Sequence, residues 1–265
     1  MKKMLRSLLI VILSAILIWS LASIGMTVDD YKKADEIYEK SRSENFHISE
    51  STSEIPVSDI AEEYFPEVRV DFKALTKTNP DVIGWLWIPD TEINFPLLRA
   101  ADNWKYLNLS YNLQRTNSGS IFMDFRNSQN FSDDSTVIYG HNMKSGGMFG
   151  RLKDFGNTDY LTEHPDLYIF TQSRVLKYRI FAAYKTEADS QSYTRSFSKE
   201  FSFEDFIAYI KDSAAENCSS PPEGAVPIIT LSTCTSVQRN GRFVVHAYLS
   251  ASKNTEDSSP DSKTE

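Results

Sequence analysis

Between residues 82 and 248 the chain breaks into about eight short runs rich in β-branched and aromatic residues, each closed by turn-forming residues. They cover residues 82–88, 93–98, 119–125, 136–141, 167–171, 176–184 and 226–234, and end in the run opened by Arg242-Phe243-Val244-Val245. Strands this short must bury one another's apolar faces, and closing a mostly antiparallel barrel is the economical solution. Helices are few and peripheral. The spacing of Val70, Phe72 and Leu75 predicts a helix that stops at Asn79-Pro80-Asp81. A helical turn is expected over 103–109 and a helix at about 148–155. Phe203, Phe206, Ile207 and Ile210 predict an amphipathic helix over 203–216. The expected fold class is mostly β, an eight-stranded barrel with peripheral helices over residues 67–251.

The sequence ahead of the barrel is of another kind. Lys2, Lys3 and Arg6 precede residues 8–26, roughly twenty residues without a charge, enough to cross a bilayer as a helix. The positive flank keeps the N-terminus inside. Ser20-Leu21-Ala22 has the small-x-small shape of a signal-peptidase site, but the length of the apolar stretch favours a retained anchor, residues 1–28. Either reading exports residues 29–265, so a single-pass protein of the cell membrane with an extracellular domain is expected. Residues 29–66 carry a helical pattern in Tyr31, Ala34, Ile37 and Tyr38, then a Ser/Glu-rich stretch. They read as a helical stalk and solvated linker with His47 exposed. Residues 252–265 read as a disordered tail.

A net charge of -8, a pI near 5.1 and the lack of any basic block beyond the first residues argue against a nucleic-acid partner. Peptide, protein or cell-wall material suits this surface better. No Cys-x-x-Cys, no His-x-x-x-His, no compact carboxylate cluster and no phosphate loop is present, so neither a metal nor another cofactor is expected.

Two cysteines remain to carry chemistry. Cys234 ends the run Thr230-Leu231-Ser232-Thr233-Cys234, where period-2 alternation puts Thr230, Ser232 and Cys234 on one face and Ile229, Leu231 and Thr233 on the other. A strand-end thiol could thus face a groove while the core holds its backbone. An exported chain permits a disulfide from Cys218 to Cys234, which would silence that thiol. The simpler reading of Cys218 is a solitary thiol at a helix end. A nucleophilic thiol needs a proton acceptor. Of four histidines, His47 falls in the stalk, His164 in a Glu-His-Pro-Asp turn and His246 inside the last strand. His141 closes Val137-Ile138-Tyr139-Gly140-His141-Asn142 before a Gly-rich loop, where a barrel rim belongs. Position alone leaves His141 open between a structural and a catalytic role. Arg242 opens the strand expected to pair with the cysteine strand and could stabilise an oxyanion, while Arg239 competes from the loop before Asn240-Gly241.

Together, the Thr230–Cys234 run, the downstream arginine before Val244-Val245 and the upstream Tyr139-Gly140-His141 resemble the sortases, membrane-anchored cysteine transpeptidases of Gram-positive bacteria. Four further stretches are similar to class B sortases: Asp81-Val82-Ile83-Gly84-Trp85-Leu86, Ile93-Asn94-Phe95-Pro96, Tyr106-Leu107-Asn108-Leu109 and Gly119-Ser120-Ile121-Phe122-Met123-Asp124-Phe125-Arg126-Asn127. So are Met148-Phe149 and the long helix before the cysteine strand. The likeness covers about residues 68–250 and implies a sortase-type barrel. It implies Cys234 as nucleophile, His141 as general acid and base, and Arg242, rather than Arg239, as substrate and oxyanion holder. Asn103, Leu107, Tyr193, Thr194 and Ser232 would line the substrate groove. The implied partners are surface proteins with a C-terminal sorting motif, cleaved after threonine, and an amine of the peptidoglycan precursor. A hydrolysing cysteine peptidase and a catalytically idle wall-binding module are the competing readings.

Overall fold

The computed structural model describes residues 2–49, 64–219, 221, 224, 226–235 and 240–255. In chain order the elements are α1 (Lys2–Asn45), β1 (Phe46–Ile48), β2 (Val68–Val70), α2 (Phe72–Thr78), β3 (Val82–Trp87), β4 (Asn94–Leu98), β5 (Ile121–Met123), β6 (Ser135–Tyr139), α3 (Thr158–Glu163), β7 (Asp166–Phe170), β8 (Arg174–Glu187), α4 (Phe203–Ala214), β9 (Ile228–Cys234) and β10 (Gly241–Asn254). Eight strands close into a barrel in the order β10-β8-β7-β3-β4-β5-β6-β9, and β9 pairs back onto β10. The barrel is mostly antiparallel, as expected. The β4–β5 and β6–β9 pairs are parallel, and the second of these builds the site.

Alternation along the strands fills the interior with Leu86, Leu97, Ile121, Ile138, Ile169, Ile229, Leu231 and Val245, all buried. A second cluster lies where α4 covers β8 and β10. Phe206, Ile210 and Ala214, spaced at i, i+4 and i+8, pack there with Phe181, Tyr184 and Val244. The helix starts at a capping box, in which Ser202 Oγ accepts from the Asp205 amide and the Asp205 carboxylate accepts from the Ser202 amide.

Three expectations differ from the structure. The segment read as a solvated stalk is not free in its first part: α1 runs unbroken through residue 45, and Ala34, Ile37, Tyr38 and Phe46 are buried on the barrel. The pattern of Tyr31, Ala34, Ile37 and Tyr38 is a docking face, and full burial of side chains the size of Ile37 and Phe46 contributes about 1.5–3 kcal/mol each. β1 then pairs with β2, and Phe46 stacks on Trp85 with ring centroids 5.3 Å apart. His47 is exposed, as expected, and residues 50–63 lie outside the described residues. Second, the helix expected at about 148–155 is a turn followed by a 3₁₀ stretch, Leu152–Gly156, and then α3. Asn157 caps α3 and resets the chain direction between them. Third, β10 continues to Asn254, paired through Lys253↔Val175 and Asn254↔Arg174, so residues 252–254 are strand where a disordered tail was expected, and residues 256–265 of that stretch lie outside the described residues.

His246, on β10, is fully buried. Its Nδ1 meets Thr230 Oγ1 at 3.0 Å and its Nε2 meets the Tyr184 hydroxyl at 3.1 Å, with Phe181 and Phe206 beside the ring. Both partners are hydroxyls, which suit a neutral ring. Burial holds its pKa down to about 3. The unfolded chain protonates this ring first, near its ordinary 6.5, so the stabilisation is intact above that pH and is lost as pH falls toward 3. Between pH 7 and pH 5 the loss is about 2 kcal/mol. Thermal unfolding of the detergent-solubilised protein should therefore shift down over that interval, and His246→Gln should flatten the shift. An equal slope in both proteins would remove His246 as its source.

Candidate active site

The parallel register of β6 and β9 sets the geometry. Tyr139 lies opposite Ser232, and the Gly140 amide donates to the Ser232 carbonyl at 3.1 Å. His141 is two residues beyond Tyr139 and Cys234 two beyond Ser232, so neighbouring strands bring both to the same rim at the same level. Beyond the strand ends, Asn142 Nδ2 donates to the Cys234 carbonyl at 2.8 Å and ties the two segments together. Gly140 is required by close approach: a Cβ there would lie 2.5 Å from Ile121 Cδ1 and 2.7 Å from the Phe149 ring.

Arg242 enters from the other side of β9. It is the antiparallel partner of Cys234, so the two side chains leave the sheet on the same face. Its Nη1 donates to the Gly241 carbonyl at 3.0 Å. Arg239 lies outside the described residues. Both cysteines are free thiols, Cys234 exposed and Cys218 half-buried, so no disulfide silences Cys234. Burial pushes the Cys218 thiol up, which keeps it protonated and a poor nucleophile.

The His141 ring is held by one hydrogen bond. A backbone carbonyl only accepts, so at 2.8 Å from Leu107 O the ring Nε2 carries the hydrogen and Nδ1 is left to exchange a proton with a substrate or thiol. The Leu107 carbonyl is itself fixed. Gly119, at φ +57°, runs so close beneath it that an added Cβ would lie 2.7 Å from that oxygen. Tyr38 of α1 donates to the Gly119 carbonyl at 2.6 Å, so the docked helix braces this segment.

A cavity of about 300 Å³ lies over Cys234, His141 and Arg242. Of the residues expected along a groove, Asn103, Leu107 and Ser232 line it. Tyr193 and Thr194 are not among its lining residues. Tyr193 sits behind Ser232, its hydroxyl 2.7 Å from Ser232 Oγ and its ring stacked on Tyr139. Burial pushes that phenol up to about 12, so it serves as a neutral hydrogen-bond partner. Thr194 follows a short 3₁₀ turn and donates to the Gln191 carbonyl. Thr230, on the same strand face as Cys234, is buried against His246 and does not reach the cavity. Trp104, Phe122, Tyr139, Gly140 and Thr233 complete the lining, and none of them was expected in the groove.

Asp124 was also passed over as a site residue. It is fully buried behind the cavity and accepts from Asn103 Nδ2 at 3.1 Å, the Tyr139 hydroxyl at 2.9 Å and Arg126 Nη2 at 2.6 Å. Burial alone would raise its pKa, but Arg126 and these hydrogen bonds outweigh it and hold the carboxyl well below the usual range. An acid inside the apolar run 119–125 was the available signal, since buried carboxylates need partners.

A closed barrel that gathers a free thiol, an oriented imidazole and a guanidinium at one rim is a scaffold for thiol-based acyl transfer. The Sortase domain family model matches residues 86–250. Sortase B of Listeria monocytogenes is 38% identical over 185 residues, 69% of this chain and 75% of that protein. The crystal structure of sortase B from B. anthracis in complex with AAEK1 superposes with a TM-score of 0.68 at 31% identity, covering 84% of this chain and 98% of that one. The Staphylococcus aureus sortase B–substrate complex gives a TM-score of 0.62 at 29% identity, over 67% and 83% of the two chains. The chain belongs to the sortase family and is a class B sortase, a cysteine transpeptidase.

Proposed function

We propose that Cys234, His141 and Arg242 carry the transpeptidation and that the cavity above them takes a C-terminal sorting motif. The observation that carries this reading is the register that sets His141 and Arg242 on either side of Cys234. His141 Nδ1 takes the Cys234 thiol proton as the sulfur attacks the carbonyl carbon after the motif's threonine, forming a C–S bond. Arg242 faces the oxyanion that develops on the carbonyl oxygen. Collapse of the tetrahedral intermediate breaks the C–N bond, and His141 passes a proton from Nδ1 to the leaving amine. An amine of the peptidoglycan precursor then attacks the thioester, forming a C–N bond, and His141 takes its proton and passes it to the sulfur as the C–S bond breaks, which returns the Cys234 thiol. Asn103, Leu107 and Ser232 contact the motif, and Tyr193 acts on it through Ser232.

The apolar half of α1 supports a membrane location with the barrel outside. Among the described residues it is the one helix long and apolar enough to cross a bilayer, and Lys2, Lys3 and Arg6 precede its apolar stretch. Product analysis tests the reading. Incubated with a panel of threonine-containing sorting peptides, the protein should release the C-terminal fragment, and added oligoglycine or another peptidoglycan-type amine should divert the N-terminal fragment from free acid to amide. Hydrolysis that no amine diverts would leave a peptidase instead.

A further inference from the structure

One carboxylate oxygen gathers several segments behind the cavity. Asp124 directly follows β5 and is fully buried. Its Oδ2 accepts from Asn103 Nδ2 at 3.1 Å, the Tyr139 hydroxyl at 2.9 Å and Arg126 Nη2 at 2.6 Å, and Arg195 Nη1 stands 3.9 Å away. Its Oδ1 accepts from Arg126 Nε at 2.8 Å and from the Arg126 amide at 3.0 Å. A buried ion pair adds little to stability by itself, because desolvation offsets the attraction. What this one fixes is the orientation of its neighbours, and two of them, Asn103 and Tyr139, line the cavity.

The Asn103 amide is held from both ends. Asp102 Oδ1 accepts from the amides of Trp104 and Lys105 at 2.8 and 2.9 Å, which folds the chain into a turn around Asn103. The Asn103 Oδ1 accepts from the Phe125 amide at 3.0 Å, while its Nδ2 donates to Asp124. A backbone N–H only donates and an ionised carboxylate only accepts, so both contacts impose the same orientation and both forbid the flipped one. Asp124 takes one of the two Nδ2 hydrogens. The other is left for a molecule in the cavity, and it suits a carbonyl oxygen. A neutral amide at position 124 could not serve both sides. With its oxygen turned to Arg126 it would present an NH2 group to Asn103 and Tyr139, which are themselves donors.

We infer that Asp124 is a positioning residue for substrate binding: it locks the Asn103 amide as a hydrogen-bond donor to the cavity, and that donor holds a carbonyl oxygen of the sorting peptide. This rests on the reading that the cavity takes the sorting motif. Asp124 itself touches no substrate and transfers no proton.

Steady-state kinetics of the detergent-solubilised full chain, with a threonine-containing sorting peptide, test the inference and its premise separately. One neutral hydrogen bond is worth about tenfold in affinity, so Asn103→Ala should raise KM about tenfold with kcat nearly unchanged. Asp124→Asn should do the same. The double variant should stay near tenfold rather than reach about 100-fold, because both changes remove one contact. A carboxylate that only supported the fold would lower kcat, and equally with Asn or Ala at position 103. An unchanged KM in Asn103→Ala would sink the placing of the motif over Asn103 and the inference with it. A raised KM in Asn103→Ala beside an unchanged KM in Asp124→Asn, or additive losses in the double variant, would overturn the inference alone. Should Asp124→Asn fail to fold, NMR of Cys234→Ala protein supplies the measurement. Titration with the peptide should shift one Nδ2 proton of Asn103, identified by its loss in Asn103→Ala, and leave its partner in place. Two unmoved protons would sink both readings, and two that move together the inference alone.

Discussion

Cys234→Ala is expected to lower turnover of a sorting peptide by about 10⁴-fold or more, with thermal unfolding essentially unchanged. The thiol is exposed at the end of β9, so its removal leaves no cavity and orphans no buried partner, and surface changes of this kind stay within about 0.5 kcal/mol. The chemistry has no substitute. Cys218 is the one other thiol in the chain, and it is half-buried and held protonated on the far side of β8, where it bridges to Ala182. Steady-state cleavage assays paired with circular dichroism melts separate loss of chemistry from loss of fold. Persistent turnover by a folded Cys234→Ala protein would contradict the assignment.

Arg242→Ala is expected to be the next most informative change, with kcat/KM reduced about 10²–10³-fold, the scale seen when one oxyanion donor is removed. Arg242 is half-buried, directly across from Cys234, and lines the same cavity. A guanidinium presents a planar fork of donors that an ammonium cannot copy, so Arg242→Lys should recover only a small part of the loss. If the arginine acts on the transition state, kcat falls along with kcat/KM. If it only holds the peptide, KM rises and kcat stays. Arg239→Ala serves as the comparison and should retain most activity. A larger loss from Arg239 than from Arg242 would reverse the choice between them.

Much of this architecture was legible in the sequence because local and global signals agree. Short alternating runs bounded by turns named the barrel, and the helical spacing of Phe203, Phe206, Ile207 and Ile210 put an amphipathic helix where α4 lies. The catalytic candidates were legible mainly through resemblance. Spacing alone left His141 undecided, because the neighbour that pairs it with Cys234 is a parallel strand more than ninety residues away, and parallel register leaves no mark on local pattern. What escaped reading was the tertiary use of ordinary segments. Tyr38 and Ile37 sit in a charged, helical stretch whose composition resembles a stalk, and only the barrel surface turns them into a docking face. Tyr193 was expected in the groove, but a hydroxyl-to-hydroxyl contact with Ser232 sets it one layer behind. Trp104 was missed because an isolated exposed tryptophan gives no periodic signal.

The central claim is that Cys234 carries the acyl group between two amines. Intact-mass spectrometry of the protein mixed with a sorting peptide, without an acceptor amine, tests it most directly. The expected result is a mass gain equal to the peptide fragment ending in threonine, mapped to Cys234, released by hydroxylamine and transferred to oligoglycine when that is added. Turnover with no such adduct, or an adduct mapped to Cys218, would contradict the account.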